Sequence, residues 1–280
     1  TDTHSESTVS TVRTRGGTDP GASPGTLSTA DASGDVASDL VAEIAMMRSL
    51  HHPHIVSYLG ADVSADRAHV YIFMEYVPGG SVASMVRQFG ALSEGVIRRY
   101  ARQIVAGVAF LHSRSIVHRD IKGANVLVNE EGTAKLADFG CSKQLQGLVT
   151  QSLDESLKAL RGSVYWMAPE VIRQAGHGRK ADIWSIGCTV IEMATAKHPW
   201  PDFDEGLSAL FHVATAKTPP PFPDSLSDDC ADFLRSCLQI DPAQRPTAAE
   251  LLRHPFLRTT DASNDVAKPS SSGLMQSAAF

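Results

Sequence analysis

The chain has 280 residues, 42% of them hydrophobic and 20% charged, enough to bury a sizeable core in one large domain or two lobes. Its formal charge of -6 argues against a general nucleic-acid binder, which needs a basic face to displace counterions from phosphates. The four cysteines, Cys141, Cys188, Cys230 and Cys237, are scattered without Cys-x-x-Cys spacing, so neither a zinc site nor a disulfide framework is suggested.

A reducing compartment, cytosol or nucleus, fits that cysteine usage, and a cytoplasmic location is expected. No stretch reaches the length of an apolar membrane span, and no basic-then-apolar signal opens the chain. No membrane partner is therefore expected. The start at Thr1 rather than Met fits a piece of something longer.

Residues 1–38 are rich in Ser, Thr, Gly, Asp and Ala with almost no large apolar side chain, which predicts a disordered arm. From Leu40 the pattern changes: Leu40, Ile44 and Met47 recur at helical spacing, predicting a helix that carries Glu43. The segments 57–63 and 69–76 are short, bounded by polar turns and rich in Val, Ile, Tyr and Phe, and read as two strands ended by Pro78-Gly79-Gly80. After Ser93, the apolar positions Ile97, Tyr100, Ala101, Ile104, Val108 and Leu111 mark a long amphipathic helix. Further helical patterns recur over 182–196, 208–216, 228–238 and 248–252, separated by breaks such as Pro219-Pro220-Pro221. Residues 259–280 return to Ser, Ala and Asn and are expected to form a flexible tail.

Three motifs stand in order: His118-Arg119-Asp120-Ile121-Lys122-Gly123-Ala124-Asn125, then Asp138-Phe139-Gly140, then Ala168-Pro169-Glu170. Any one alone would carry little weight; all three at these intervals argue for phosphoryl transfer. Met74-Glu75-Tyr76-Val77, the run Asp182 to Gly187, and Asp241-Pro242 through Arg245-Pro246 add to the set. On these residues the chain resembles the eukaryotic protein kinase family, from about Leu40 to Leu257. The finer strings around Trp166 to Ile172 and Gly187 to Met193 look most like the MAP kinase kinase kinase group.

The resemblance implies an α+β, two-lobed fold with an incomplete β-rich N-lobe over 39–77 and a mainly helical C-lobe over 78–258. It implies an ATP-dependent serine/threonine kinase acting on a protein substrate, a downstream kinase of a MAP kinase cascade, with ATP and Mg2+ as cofactors. Asp120 would accept the substrate hydroxyl proton, and Lys122 would neutralise charge on the transferred group. Asn125 and Asp138 would supply oxygen ligands to magnesium. The nucleotide-binding set would be Glu43, Met74, Glu75, Val77, Ser81, Leu127 and Asp138. Within it the backbone of Glu75 and Val77 would bond adenine and Met74 would close the back of the pocket. Phe139 would pack on the Glu43 helix, Arg245 would pair with Glu170, and Ser163 would place a hydroxyl near Asp120.

Regulation by phosphorylation would fall on Thr150, Ser152 and Ser156 in the loop from Cys141 to Arg161, where added phosphate would face Arg119. The cluster His51-His52-Pro53-His54 lacks carboxylate or cysteine partners at ligand spacing and reads as packing between helix and strand. Cys141 reads as an inert small residue.

The glycine-rich loop and the strand lysine of a complete kinase are missing. No lysine precedes Lys122, and Arg15-Gly16-Gly17 lacks the G-x-G-x-x-G spacing. Arg13 in Val9-Ser10-Thr11-Val12-Arg13 is a remote stand-in, because a guanidinium does not replace an ammonium at a shaped phosphate site. The simpler expectation is truncation, with the first strands encoded upstream. The rival is a pseudokinase or scaffold, against which the intact Asp120, Lys122, Asn125 and Asp138 argue. A small-molecule kinase is a third reading, disfavoured because the segment from Gly162 to Glu170 resembles a peptide platform.

Overall fold

The computed structural model describes residues 7–13, 44, 47–63, 69–138, 163–176, 178–203 and 206–258. Three antiparallel strands form the smaller lobe: β1 (Ser7–Arg13), β2 (Tyr58–Val63) and β3 (His69–Glu75), in the spatial order β1-β3-β2. The β1–β3 register runs from Ser7 opposite Glu75 to Arg13 opposite His69. Between β2 and β3 the register slips at Tyr58/Gly60, so one strand carries an extra residue.

β1 corrects the expectation that residues 1–38 form an arm without structure. That expectation weighed apolar burial alone. Four of its seven residues are Thr or Val, whose β-branching suits an extended backbone, and β3 offers it a full row of backbone partners. The register also separates Arg13 from the segment Met74-Glu75-Tyr76-Val77, the hinge between the lobes. Arg13 lies opposite the first residue of β3, five residues from Met74, a distance of about 17 Å along the strand.

The C-lobe is mainly helical: α1 (Val82–Phe89), α2 (Glu94–Ser113), α3 (Pro169–Ile172), α4 (Arg179–Thr195), α5 (Gly206–Thr215), α6 (Asp228–Cys237) and α7 (Ala248–Leu251). A hairpin of β4 (Val126–Val128) and β5 (Ala134–Leu136) lies between α2 and α3 in the chain. Helix starts follow local chemistry. Ser81 caps α1 in a reciprocal pair with Ser84, and Thr247 does the same for α7 with Glu250.

Helix α4 has no polar face, since every residue from Ala181 to Met193 is buried. A helix apolar nearly all round belongs inside a core. Its polar members must then find partners, and Asp182, Ser185, Thr189 and Glu192 all do. The same core takes in Ile97, Tyr100, Ile104, Val108 and Leu111 of α2, and it buries the free thiols of Cys188, Cys230 and Cys237.

The lobes are stitched by backbone. His54 O accepts from Leu136 N–H at 2.9 Å, and Leu136 O accepts from Val56 N–H at 2.9 Å. Above this join, His54 Nδ1 lies 3.0 Å from Ala134 O and the His52 ring packs 4.7 Å from that of Phe110. The histidine cluster thus serves as packing. None of the described helices is long and apolar enough to cross a membrane.

Candidate active site

The loop after α2 is held from below by one carboxylate. Asp182 is fully buried in α4, and it accepts from His118 N–H at 2.9 Å and from Arg119 N–H at 2.8 Å. His112 Nε2 of α2 lies 2.8 Å from the same carboxylate. Arg119 adopts a positive φ of 71°, a conformation unusual for a side-chain-bearing residue, and the Asp182 bonds hold it there. The His118 ring is buried, with Nε2 3.1 Å from Ala137 O; burial pushes its pKa down, so it stays neutral at physiological pH.

On that base Asp120, Lys122, Asn125 and Ser163 meet. Lys122 Nζ donates to Asp120 Oδ2 at 2.8 Å and to Ser163 Oγ at 2.6 Å. Asn125 Nδ2 donates to Asp120 Oδ2 at 2.8 Å and to the Asp120 carbonyl at 2.9 Å. The carboxylate is fixed in rotation by two donors on one oxygen, and among the described residues Asn125 bonds it through its amide nitrogen. Asn125 O accepts from Ala137 N–H at 2.9 Å, which ties the loop to the residue before Asp138. Asp138 is exposed, at a φ of 60°.

Under the hinge, Val56, Val77 and Ala137 form a small buried apolar cluster, with Met74 and Leu127 packed against it. Met74 comes from β3, Val77 from the hinge, Val56 from the residues just before β2, Leu127 from β4 and Ala137 from just after β5, and together they make a nonpolar wall beside the polar group. Gly79 lets the hinge pass close to β4, because a Cβ there would sit 2.3 Å from Val128 O. The Ser81 hydroxyl is occupied by the cap of α1, accepting from Ser84 N–H at 3.1 Å.

Glu75 binds within the protein: Lys135 Nζ lies 2.6 Å from Oε1, and Ser57 N–H donates to Oε2 at 3.0 Å. Burial pushes its carboxyl up, but the Lys135 and Ser57 bonds outweigh that and hold it below its usual range. Glu43, Phe139, Gly140, Cys141, Thr150, Ser152 and Ser156 lie outside the described residues.

Glu192 escaped the motif reading, and Arg245 was read only in part. Glu192 Oε2 accepts from Gly123 N–H at 2.8 Å and from the Trp166 indole N–H at 2.9 Å. The Arg245 guanidinium is buried and grips Glu170 at 2.6 Å and 2.9 Å, as the motif reading expected, and it also donates to Gln239 O and Lys180 O. A signal for Glu192 did exist, because a carboxylate inside an otherwise apolar helix has to find donors.

The model of the protein kinase domain matches residues 26–257, starting ahead of the Leu40 boundary that the motifs suggested. The chain is 49% identical over 219 residues, 78% of its length, to mitogen-activated protein kinase kinase kinase A of Dictyostelium discoideum. It is 51% identical over the same share to mitogen-activated protein kinase kinase kinase 2 of Arabidopsis thaliana. It is also 47% identical over 77% of its length to mitogen-activated protein kinase kinase kinase 19 of Homo sapiens. The chain spans only 22%, 33% and 16% of those three proteins respectively. With a family model covering most of its residues, and its loops and helices arranged as described, the chain belongs to the protein kinase family.

Proposed function

We propose that the protein is an ATP-dependent serine/threonine protein kinase, acting on a downstream kinase within a MAP kinase cascade in the cytoplasm. The observation that carries this reading is Asp120, with one carboxylate oxygen held by Lys122 and Asn125 and Lys122 reaching on to Ser163. An acceptor hydroxyl beside Asp120 would lose its proton to the carboxylate as its oxygen bonds to the γ-phosphorus, while the bond to the leaving diphosphate breaks. Lys122 supplies positive charge where the transferred group becomes most anionic.

The Asn125 amide oxygen and the Asp138 carboxylate are hard oxygen donors suited to Mg2+, and two protein ligands agree with that ion's need for phosphate oxygens and water. Bound magnesium would draw charge off the phosphates. The apolar wall of Val56, Met74, Val77, Leu127 and Ala137 suits the faces of a purine, with the hinge backbone at its edge. The names of the relatives support the cascade assignment.

One observation favours a second reading, a nucleotide-poor scaffold. The strand alongside β3 contains no lysine, and its single arginine lies at the end remote from the hinge. The deciding experiment mixes the full-length gene product that carries this chain with Mg2+, ATP labelled at the γ-phosphate and a Ser/Thr peptide library, beside its Asp120→Asn variant. Transfer that falls by about 10²-fold or more in the variant supports the kinase. Equal counts in both proteins, or no measurable nucleotide binding, move the scaffold ahead.

A further inference from the structure

The lobes meet at the turn His52-Pro53-His54, where three polar groups of His54 are all used. Its N–H donates to His52 Nδ1 at 3.2 Å, its ring Nδ1 lies 3.0 Å from Ala134 O, and its carbonyl accepts from Leu136 N–H at 2.9 Å. The next residues continue the join: Ile55 bridges to Leu136, and Val56 N–H donates to Leu136 O at 2.9 Å. A change at His54 therefore reaches Val56, which belongs to the apolar wall under the hinge.

The first of these bonds fixes a protonation state. A backbone N–H only donates, so His52 Nδ1 must keep its lone pair, and the neutral ring carries its proton on Nε2. A second proton has only Nδ1 to occupy. There it would set two N–H groups against each other and break the bond from His54. His54 differs, because its Nδ1–H faces Ala134 O and a further proton would go to Nε2, leaving that bond in place.

The surroundings of His52 also oppose a positive charge. Its ring centre lies 4.7 Å from that of Phe110 in α2, whose face already holds the Arg114 guanidinium at 3.8 Å, and the His54 ring stands edge-on at 5.5 Å. From β5, Lys135 adds a cation beside His54; Glu75 is committed to Lys135 and Ser57 N–H, and His51 is exposed. Burial pushes His52 below its usual value, and the charges of His54 and Arg114 push the same way. Burial lowers His54 as well, with the Ala134 bond opposing the shift and Lys135 adding to it. The folded rings thus bind a proton less readily than the unfolded ones. The closed join is favoured above about pH 6.5 and loses ground as pH falls through that value.

We propose that His52 is a proton-operated latch between the lobes, closed while its Nδ1 accepts from His54 N–H and released when acid places a proton on that nitrogen. Release frees the His54 end of the join, and the backbone bonds of Leu136 and Val56 open with it. The latch stands on the join alone. Its effect on nucleotide rests on the kinase reading above, because Val56 is part of the wall that suits a purine.

The test follows hydrogen exchange by mass spectrometry in the full-length gene product that carries this chain, with protection corrected for the intrinsic change of rate with pH. Peptides over 52–57 and 134–138 should lose about 10-fold in protection between about pH 7.5 and about pH 5.5, while those over α6 hold steady. His52→Asn places an amide oxygen near the position of Nδ1 and does not titrate, so its protection should stay level over the same span. His54→Asn keeps the His52 ring and should still lose protection in acid. No loss in the parent, an equal loss in His52→Asn, a level profile in His54→Asn, or an equal loss over α6 would overturn the proposal. Affinity for ATP with Mg2+ should fall over the same span more in the parent than in His52→Asn. A parent that binds no ATP at either pH would count against the kinase reading, and the exchange readouts would then decide the latch by themselves.

Discussion

Lys122 and Ser163 are separated by 41 residues, yet the ammonium of the first donates to the hydroxyl of the second at 2.6 Å while holding Asp120 at 2.8 Å. Ser163 thus fixes the direction of the lysine. In Ser163→Ala the ammonium loses one of two anchors, and kcat/KM for a peptide should fall about 10-fold, with Ser163→Thr retaining most activity. Steady-state kinetics on the three proteins checks this, and an alanine variant as fast as the parent would remove the anchoring role.

Arg245 has a fully buried side chain, bonded to the Glu170 carboxylate and to the carbonyls of Gln239 and Lys180. Removing one partner leaves an uncompensated charge in the core. Arg245→Met should cost about 3–5 kcal/mol, and the double variant with Glu170→Met should recover part of that loss. Urea unfolding followed by circular dichroism measures both; a double variant no better than the single would argue against the pairing as the source of the penalty.

Gly107 lies in the middle of α2, where propensity alone says alanine should gain about 1 kcal/mol. The packing says otherwise, because a Cβ there would meet His54 O at 2.9 Å and Leu136 Cδ1 at 3.0 Å. His54 O is also the acceptor for Leu136 N–H at the join between the lobes. Gly107→Ala should therefore be destabilising by about 1–3 kcal/mol, seen as a lowered melting temperature. A rise in melting temperature would show that the join gives way easily.

Acid should weaken the Glu75–Lys135 pair specifically. The folded Glu75 carboxyl is held below its ordinary value, so it releases its proton more readily in the folded chain than in the unfolded one. The stability it contributes is present above the unfolded value, near about 4.3, and disappears as pH falls through the folded value. Glu75 is partly exposed, so solvent limits the contribution to about 1 kcal/mol or less. Lys135→Met should be less stable than the parent at pH 7 and should converge with it as acid protonates Glu75 in the folded chain. A gap that stays constant across that range would mean the lysine acts through packing.

The helical lobe was largely legible because its signal is strong and local. Apolar spacing located α2 and α4 through α7 to within a few residues, and the strands read as 57–63 and 69–76 occupy 58–63 and 69–75. β1 was not legible for a physical reason: its Ser/Thr/Val sequence promises little burial, and the open edge of β3 supplies its partners from 56 to 68 residues away. In the candidate site, Asp120, Lys122 and Asn125 sit within five residues and could be read as one group. The bonds from Glu192 to Gly123 and Trp166 span 69 and 26 residues, so sequence could say only that such a carboxylate needs donors.

The three thiols packed between helices offer a chemical clock. Burial pushes Cys230 up to about 12, and raises Cys188 and Cys237 as well, so almost none of the reactive thiolate exists at neutral pH. An alkylating reagent must therefore wait for α4 and α6 to separate before it can label them. Labelling of Cys188, Cys230 and Cys237, read peptide by peptide in a mass spectrometer with Cys141 scored on its own, would time the opening of the helical lobe in a native, unlabelled-backbone sample. A bound nucleotide or partner that steadies the lobe would then register as a slower clock, with no assay of its function required.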